Sequence, residues 1–194
     1  MIRSEATVRM RKLEGCGNSF LISRREEFSG IGGLADAARV LCDRSFGIGS
    51  DGLILVAKKG PEFGLEMFNP DGSRMLMCGN GSRCVCRFLV LEGLVPALDG
   101  AIDLEICGRR VNCLISEAGR QVKVNMGRPS FDPESIPMRR ATSLISDKLA
   151  LDSGEELTAT VLSIGNPHCV IFCEDLTAVP VERLGPLLCG HKLF

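Results

Sequence analysis

The residues whose types and spacing point most directly to chemistry lie in one run, FNPDGSRMLMCGNGSRC, at positions 68–84. Cys78 is followed by Gly79, Asn80 and Gly81, and there a segment begins whose only charges up to position 91 are Arg83 and Arg87. A helix that is small or apolar on nearly every side is enclosed by protein rather than laid on a surface. Gly93 and Pro96 supply its stop. The glycines beside Asn80 let the backbone turn sharply into the helix and come close to a ligand. First-turn N–H groups have no partner within a helix, so a small carboxylate is held there by those donors and by the positive end of the dipole. A thiol at such a helix end gives up its proton more readily than a free one, whose pKa is about 8.5. The run therefore predicts a reactive sulfur beside an anion pocket. The competing reading is a packed thiol that merely opens a helix, since cysteine is among the most often buried residue types.

His168, one of two histidines, follows Gly165-Asn166-Pro167. An imidazole within reach of a thiol is the usual means of activating it, and Asn166-Pro167 predicts a tight turn with an amide side chain free for a ligand. Spacing alone does not bring His168 to Cys78, so a histidine that caps its own turn is the plainer alternative.

The elements that must position these residues follow from periodicity and turn residues. Residues 7–13 alternate apolar and charged and predict a half-buried strand. A glycine-rich turn at 14–19 leads to a short strand at 20–23. Residues 34–42 are apolar at helical spacing. Residues 46–52 carry glycines spaced as GxGxxG, but they lie after a helix and before a strand. A dinucleotide fingerprint needs the reverse order, which argues against NAD. Residues 53–56 and 64–68 read as a strand pair joined through Lys58-Lys59-Gly60-Pro61. Residues 101–107, 111–117 and 121–126 form a meander. The Pro-, Ser- and Asp-rich stretch 127–137 is a connector or domain crossing. Residues 157–164 and 169–173 read as strands around the Gly165–His168 turn, and 181–189 as a short helix. Strands outnumber scattered single helices, so the fold class is α+β rather than alternating βαβ units.

Composition bounds the function. With 194 residues the chain makes one ordinary domain or two small ones. It is 45% hydrophobic and 24% charged, as soluble globular proteins are. A net charge of −1 without a basic run gives no support to nucleic-acid or membrane-surface binding. No apolar stretch suits a bilayer span, and the N-terminus lacks the apolar core of a signal peptide. The expected compartment is the cytoplasm, where thiols stay reduced. The ten cysteines contain no CxxC pair and no matched pairs at structural-zinc spacing, so no metal is expected. Most sit in apolar runs as small core residues; Cys78 stands apart because of its glycine and asparagine neighbours.

Four segments, in order, resemble the motifs of diaminopimelate epimerases: KLEGCGNSF at 12–20, RSFGIGSDGLILV at 44–56, FNPDGSRMLMCGNGSRC at 68–84 and SIGNPHCV at 163–170. The third is highly specific, and the resemblance runs from about Arg9 to the last residue. It implies two similar strand-rich lobes, each wrapped around a central helix. The first would cover residues 1–120 with its helix at 80–92, and residues 121–194 would be a partial second lobe. Carried over residue by residue, it implies that Cys78 is a catalytic thiol and His168 the group paired with it. Asn18, Asn69, Asn166 and the backbone of Gly79 and Asn80 would hold the substrate. The implied reaction interconverts LL- and meso-diaminopimelate, a lysine and peptidoglycan precursor, without a cofactor. One thiolate removes the Cα proton and a second thiol supplies one to the opposite face. The family's second catalytic cysteine, preceded by a Glu-Arg pair, and its final strand would fall after Phe194. The expectation is a chain that is inactive or works on a single face, with a small amino acid as partner and homodimer formation allowed. Ser19 stands where aspartate is usual, and Ser82 where alanine is common. Proline racemases and phenazine-type isomerases are rivals of the same fold, the latter disfavoured by a cysteine at position 78. A racemase of another amino acid and a non-catalytic amino-acid-binding remnant are the alternatives.

Overall fold

The computed structural model describes residues 7–194; the first six residues, part of the segment read above for an export signal, lie outside the described residues. The chain divides into two compact units, one ending at Met126 and the other spanning Gly127–Phe194.

The first unit is a seven-stranded sheet in sequence order, β1 (Arg11–Gly15), β2 (Asn18–Arg24), β3 (Gly52–Lys59), β4 (Glu62–Phe68), β5 (Gly100–Ile106), β6 (Arg109–Ser116) and β7 (Gln121–Val124). Three of its turns are tight because their backbones enter the left-handed region. Cys16 and Gly17 join β1 to β2 with φ of 53° and 86°, and Cys107 and Gly108 join β5 to β6 with φ of 50° and 78°. Two positive φ values in a two-residue loop match the right-handed twist of the flanking strands. Gly60 turns β3 into β4 with φ of 60°. Helix α1 (Leu34–Cys42) links the parallel pair β2 and β3, and helix α2 (Gly79–Leu91) links the parallel pair β4 and β5.

The two helices lie on opposite faces of the sheet. Phe20, Ile22, Ile54 and Val56 point into the larger core with Val85, Phe88 and Leu89 of α2. Their neighbours Leu21, Leu53 and Leu55 point the other way, onto Phe28, Ala38 and Cys42. Strands buried on both faces read as unbroken apolar runs, which is why LILV at 53–56 shows no alternation. The sheet curls so that β1, β2, β3, β6 and β7 all touch α2, and that enclosure is the reason its sequence is apolar all round. Burying a side chain such as Leu89 or Phe88 contributes about 1.5–3 kcal/mol.

The second unit is a three-stranded antiparallel sheet, ordered β10 (Pro167–Val170), β9 (Glu156–Ser163), β8 (Asp147–Ala150), with helix α3 (Val181–Cys189). Its core gathers Ile136, Leu144, Leu149, Ala159 and Val161, with Leu188 and Phe194 against them. His191 is buried in it: Leu193 N–H donates to Nδ1 at 3.2 Å, so Nε2 carries the hydrogen given to Ala150 O at 3.0 Å.

Several bounds differ from the sequence expectation. The first strand begins at Arg11 rather than at position 7, and β2 already starts at Asn18, which shrinks the turn to Cys16–Gly17. The last strand of the meander, Gln121–Val124, pairs with β6 and belongs to the first sheet, so the contact boundary falls after Met126. The expected strand at 169–173 lies earlier, at Pro167–Val170, and takes His168 out of the turn and onto the strand opposite Leu162. Proline is tolerated there because β10 is an edge strand and Pro167 its first residue. Strand β8 was not expected, since DKLA is short and only Leu149 is buried in it.

Candidate functional site

Cys78 is the N-cap of α2, with an extended backbone (φ −152°, ψ 109°), and its side chain takes the place usually filled by serine or aspartate. The Gly81 N–H donates to Cys78 Sγ at 3.2 Å. The carbonyl of Cys78 accepts from the Ser82 N–H and from Ser82 Oγ, both at 2.9 Å. That fixes the residue before the helix from both sides. The N–H groups of Gly79 and Asn80, first in the helix, stand outside its i→i−4 ladder and face whatever lies beyond that end. Cys78 is half-buried, whereas Cys84 and Cys86 further along the helix are buried. Burial, foremost, pushes the Cys84 thiol up to about 11. The hydrogen bond with Cys113 and burial hold the Cys86 thiol above the ordinary range. Cys78 is thus the thiol of α2 open to chemistry; the other two pack the core.

The β1–β2 turn meets the first turn of α2. Asn80 Nδ2 donates to Asn18 Oδ1 at 2.7 Å, joining two positions 62 residues apart. Gly15 is a glycine for this reason: a Cβ there would lie 3.1 Å from Cys84 Sγ and 3.4 Å from Asn80 O. Arg83 donates to Asn80 Oδ1 and, at 3.2 Å, to Cys16 Sγ at the tip of the turn. Behind Asn18, the Ser19 N–H donates to Asp51 Oδ2 at 2.8 Å, and Arg44 pairs with Asp51 Oδ1 at 2.6 Å. The Ser19 N–H, helped by Arg44 and the Asn18 amide, holds the Asp51 carboxyl below the usual carboxylate range.

Of the residues singled out in the sequence, Cys78, Gly79, Asn80 and Asn18 therefore come together at one helix end. Asn69 sits in the same unit but turns into its own loop, where Nδ2 donates to Ser73 Oγ at 2.9 Å and its N–H to Ser73 O at 2.8 Å. Asn166 and His168 lie in the second unit. His168 Nδ1 is 3.0 Å from Asn166 O. A carbonyl only accepts, so that bond needs the hydrogen on Nδ1. This local contact is the turn-capping alternative, and the exposed ring keeps one nitrogen available beside it. Sequence reasoning missed Arg83, Asp51 and Cys16. The signal for Arg83 was its i+3 spacing from Asn80 on a helix; nothing local ties Asp51 to Asn18.

The sequence profile of the family described as "Diaminopimelate epimerase" matches residues 11–131. The chain is 40% identical over 186 residues to the diaminopimelate epimerase of Moorella thermoacetica, covering 94% of this chain and 66% of that protein. It is 36% identical over 193 residues to that of Pelotomaculum thermopropionicum, with the same two coverages. The chain thus spans 66% of the length of these curated relatives, just under two thirds. Among solved structures it resembles a hydroxyproline epimerase of Agrobacterium vitis bound to trans-4-hydroxy-L-proline, with a TM-score of 0.63 and 15% identity, over 95% of this chain and 54% of that one. A predicted epimerase of Pseudomonas aeruginosa gives a TM-score of 0.58 at 16% identity, over 93% and 67%. At such identities these two likenesses speak for the fold alone.

Proposed function

The chain belongs to the diaminopimelate epimerase family, a family of isomerases, and from that premise we propose that it is the part of a diaminopimelate epimerase that carries the thiol base, Cys78. The observation that supports this most is the capping of α2 by a sulfur, with the Gly81 N–H on Sγ and the Asn80–Asn18 pair beside it. An amino-acid α-proton is a very weak acid, so its base must be close and aligned. The electron pair left on Cα spreads into the carboxylate, and preformed donors must meet the charge there. The N–H groups of Gly79 and Asn80 are such donors, already oriented by the helix. Cys78 takes the proton from one face of Cα; a second group gives one to the other face for inversion. Asn18 and Asn69, and Asn166 and His168 of the second unit, are proposed substrate contacts on the strength of the family motifs. No cofactor is needed for this route. The same reading implies a cytoplasmic enzyme supplying lysine and cell-wall precursors, with homodimer assembly allowed.

Titration calorimetry of the chain with meso- and LL-diaminopimelate, followed by mass analysis of the recovered ligand after incubation in D2O, tests the reading. Binding with deuterium at Cα supports it. Binding without deuterium identifies an amino-acid-binding remnant instead. Deuterium entering proline or another amino acid but not diaminopimelate identifies a different racemase.

A further inference from the structure

The polar contacts behind Cys78 form one line with a fixed sense of donation. Arg83 donates to Asn80 Oδ1, and Asn80 Nδ2 donates to Asn18 Oδ1 at 2.7 Å. The guanidinium end has an invariable character, with five N–H donors and no acceptor. A carboxamide facing it has two orientations that differ by exchange of oxygen and nitrogen. Flipping Asn80 would set its nitrogen against the guanidinium and its oxygen against Asn18 Oδ1. Flipping both amides would still set the Asn80 nitrogen against the guanidinium. Only one arrangement leaves every contact a donor facing an acceptor.

We infer that Arg83 is a positioning residue that locks the Asn80 carboxamide, and through it that of Asn18, in one orientation at the mouth of α2, so that the pair offers N–H donors to a carboxylate ligand. In that orientation both carboxamide oxygens are engaged, Asn80 Oδ1 by Arg83 and Asn18 Oδ1 by Asn80. Both amide nitrogens keep hydrogen that the line does not use. The donors add to the main-chain N–H groups of Gly79 and Asn80. The surroundings are donor-rich and suit an anionic oxygen better than an ammonium group. The contact of Arg83 with Cys16 Sγ, at 3.2 Å, holds the guanidinium against the turn at the same time. The part of this inference that concerns a ligand rests on the function proposed above; the part that concerns amide orientation does not.

Side-chain amide NMR separates the two. In the wild-type chain the Nδ2 hydrogens of Asn18 and Asn80 are expected to give one set of signals each, exchanging slowly with water. Arg83→Gln puts an amide, which can offer either atom, where a one-way group stood. This variant is expected to speed exchange of the Asn80 and Asn18 Nδ2 hydrogens about fivefold or more, the equivalent of losing one modest hydrogen bond. Arg83→Lys, still a donor only, is expected to keep most of the protection, and an unchanged main-chain amide spectrum certifies the fold of each variant. Equal exchange in wild type, Arg83→Lys and Arg83→Gln overturns the inference whatever the ligand. In calorimetry, meso-diaminopimelate is expected to bind Arg83→Gln about tenfold more weakly than wild type and Arg83→Lys within about threefold. Protected amides together with no binding to wild type would sink the proposed substrate and leave the positioning role standing. Wild-type binding undiminished in Arg83→Gln would refute the link to the ligand.

Discussion

The main-chain N–H of Gly81 lies 3.2 Å from the sulfur of Cys78, so the polypeptide itself caps its central helix with a thiol. A Cβ at Gly81 would sit 3.0 Å from Ile54 Cδ1 and 3.4 Å from Cys78 Sγ. The neighbour that must move is the end of a core side chain. Gly81→Ala is expected to cost about 1–3 kcal/mol, the usual range for mild overpacking, and Gly81→Val more. Urea unfolding of the two variants checks the order.

Gly47 should be far less forgiving. A Cβ there would meet Val40 O at 2.1 Å, Asp43 O at 2.8 Å and Leu41 O at 2.9 Å, all main-chain atoms of the last turn of α1 and its C-cap. Backbone carbonyls cannot rotate aside as a side chain does, so Gly47→Ala is expected to lose about 3 kcal/mol or more, at the severe end for single substitutions. Equal midpoints for Gly47→Ala and Gly81→Ala would contradict this.

How legible these features were depends on how local their causes are. Helices α1 and α3 occupy the residues that helical spacing predicts, and α2 starts and ends one residue earlier than the expected 80–92. Their signals lie within a few turns of chain. The parallel pairings of β2 with β3 and of β4 with β5 are set by helices folding across the sheet, and no short pattern encodes them. Cys78 was conspicuous because its glycine neighbours make it so. The bond from Asn80 to Asn18 spans 62 positions and was reachable only through the family resemblance. Arg83 looked like one half of a charged stripe, yet it turns back to Asn80 and Cys16. His168 moved from turn to strand because its proline tolerates an edge.

Thiol titration gives a pH prediction. Cys84 keeps its proton in the folded chain up to about 11, chiefly through burial, against an ordinary value of 9.0. Below pH 9 the folded and unfolded chains both hold that proton, and the stability it reflects is intact. Between pH 9 and 11 the unfolded chain ionises first, so stability falls as pH rises through that window. Alkylation followed by peptide mass mapping should find the exposed Cys16, Cys107, Cys173 and Cys189 modified at neutral pH. Cys84 should stay unmodified until the pH approaches 11 or the chain unfolds, and Cys86 until the chain unfolds. Early modification of Cys84 in folded protein would contradict the packing described for α2.

On the acid side the sign reverses. The Ser19 N–H, with Arg44 and the Asn18 amide, holds Asp51 below its ordinary 3.8. Its contribution is complete above that value and is lost as pH falls through the lower, folded one. Asp51→Asn should remove this acid dependence. The Ser19 amide shift, followed by NMR from pH 5 downward, should titrate in wild type and stay flat in the variant.

Ser82 is buried, and its hydroxyl adds a second donor to a Cys78 carbonyl already bonded to the Ser82 N–H. Because that carbonyl keeps one partner, Ser82→Ala is expected to stay within about 1 kcal/mol of wild type. A thermal melt checks it, and a loss beyond about 3 kcal/mol would mean that the hydroxyl anchors the cap.

The role of Cys78 itself is tested most directly by deuterium entering Cα of diaminopimelate from D2O, compared between the wild-type chain and Cys78→Ala. If Cys78 is the base, wild type exchanges the hydrogen on the face that sulfur serves, and Cys78→Ala, still folded and still binding, exchanges none above the uncatalysed rate. Undiminished exchange in Cys78→Ala would remove the sulfur from the chemistry.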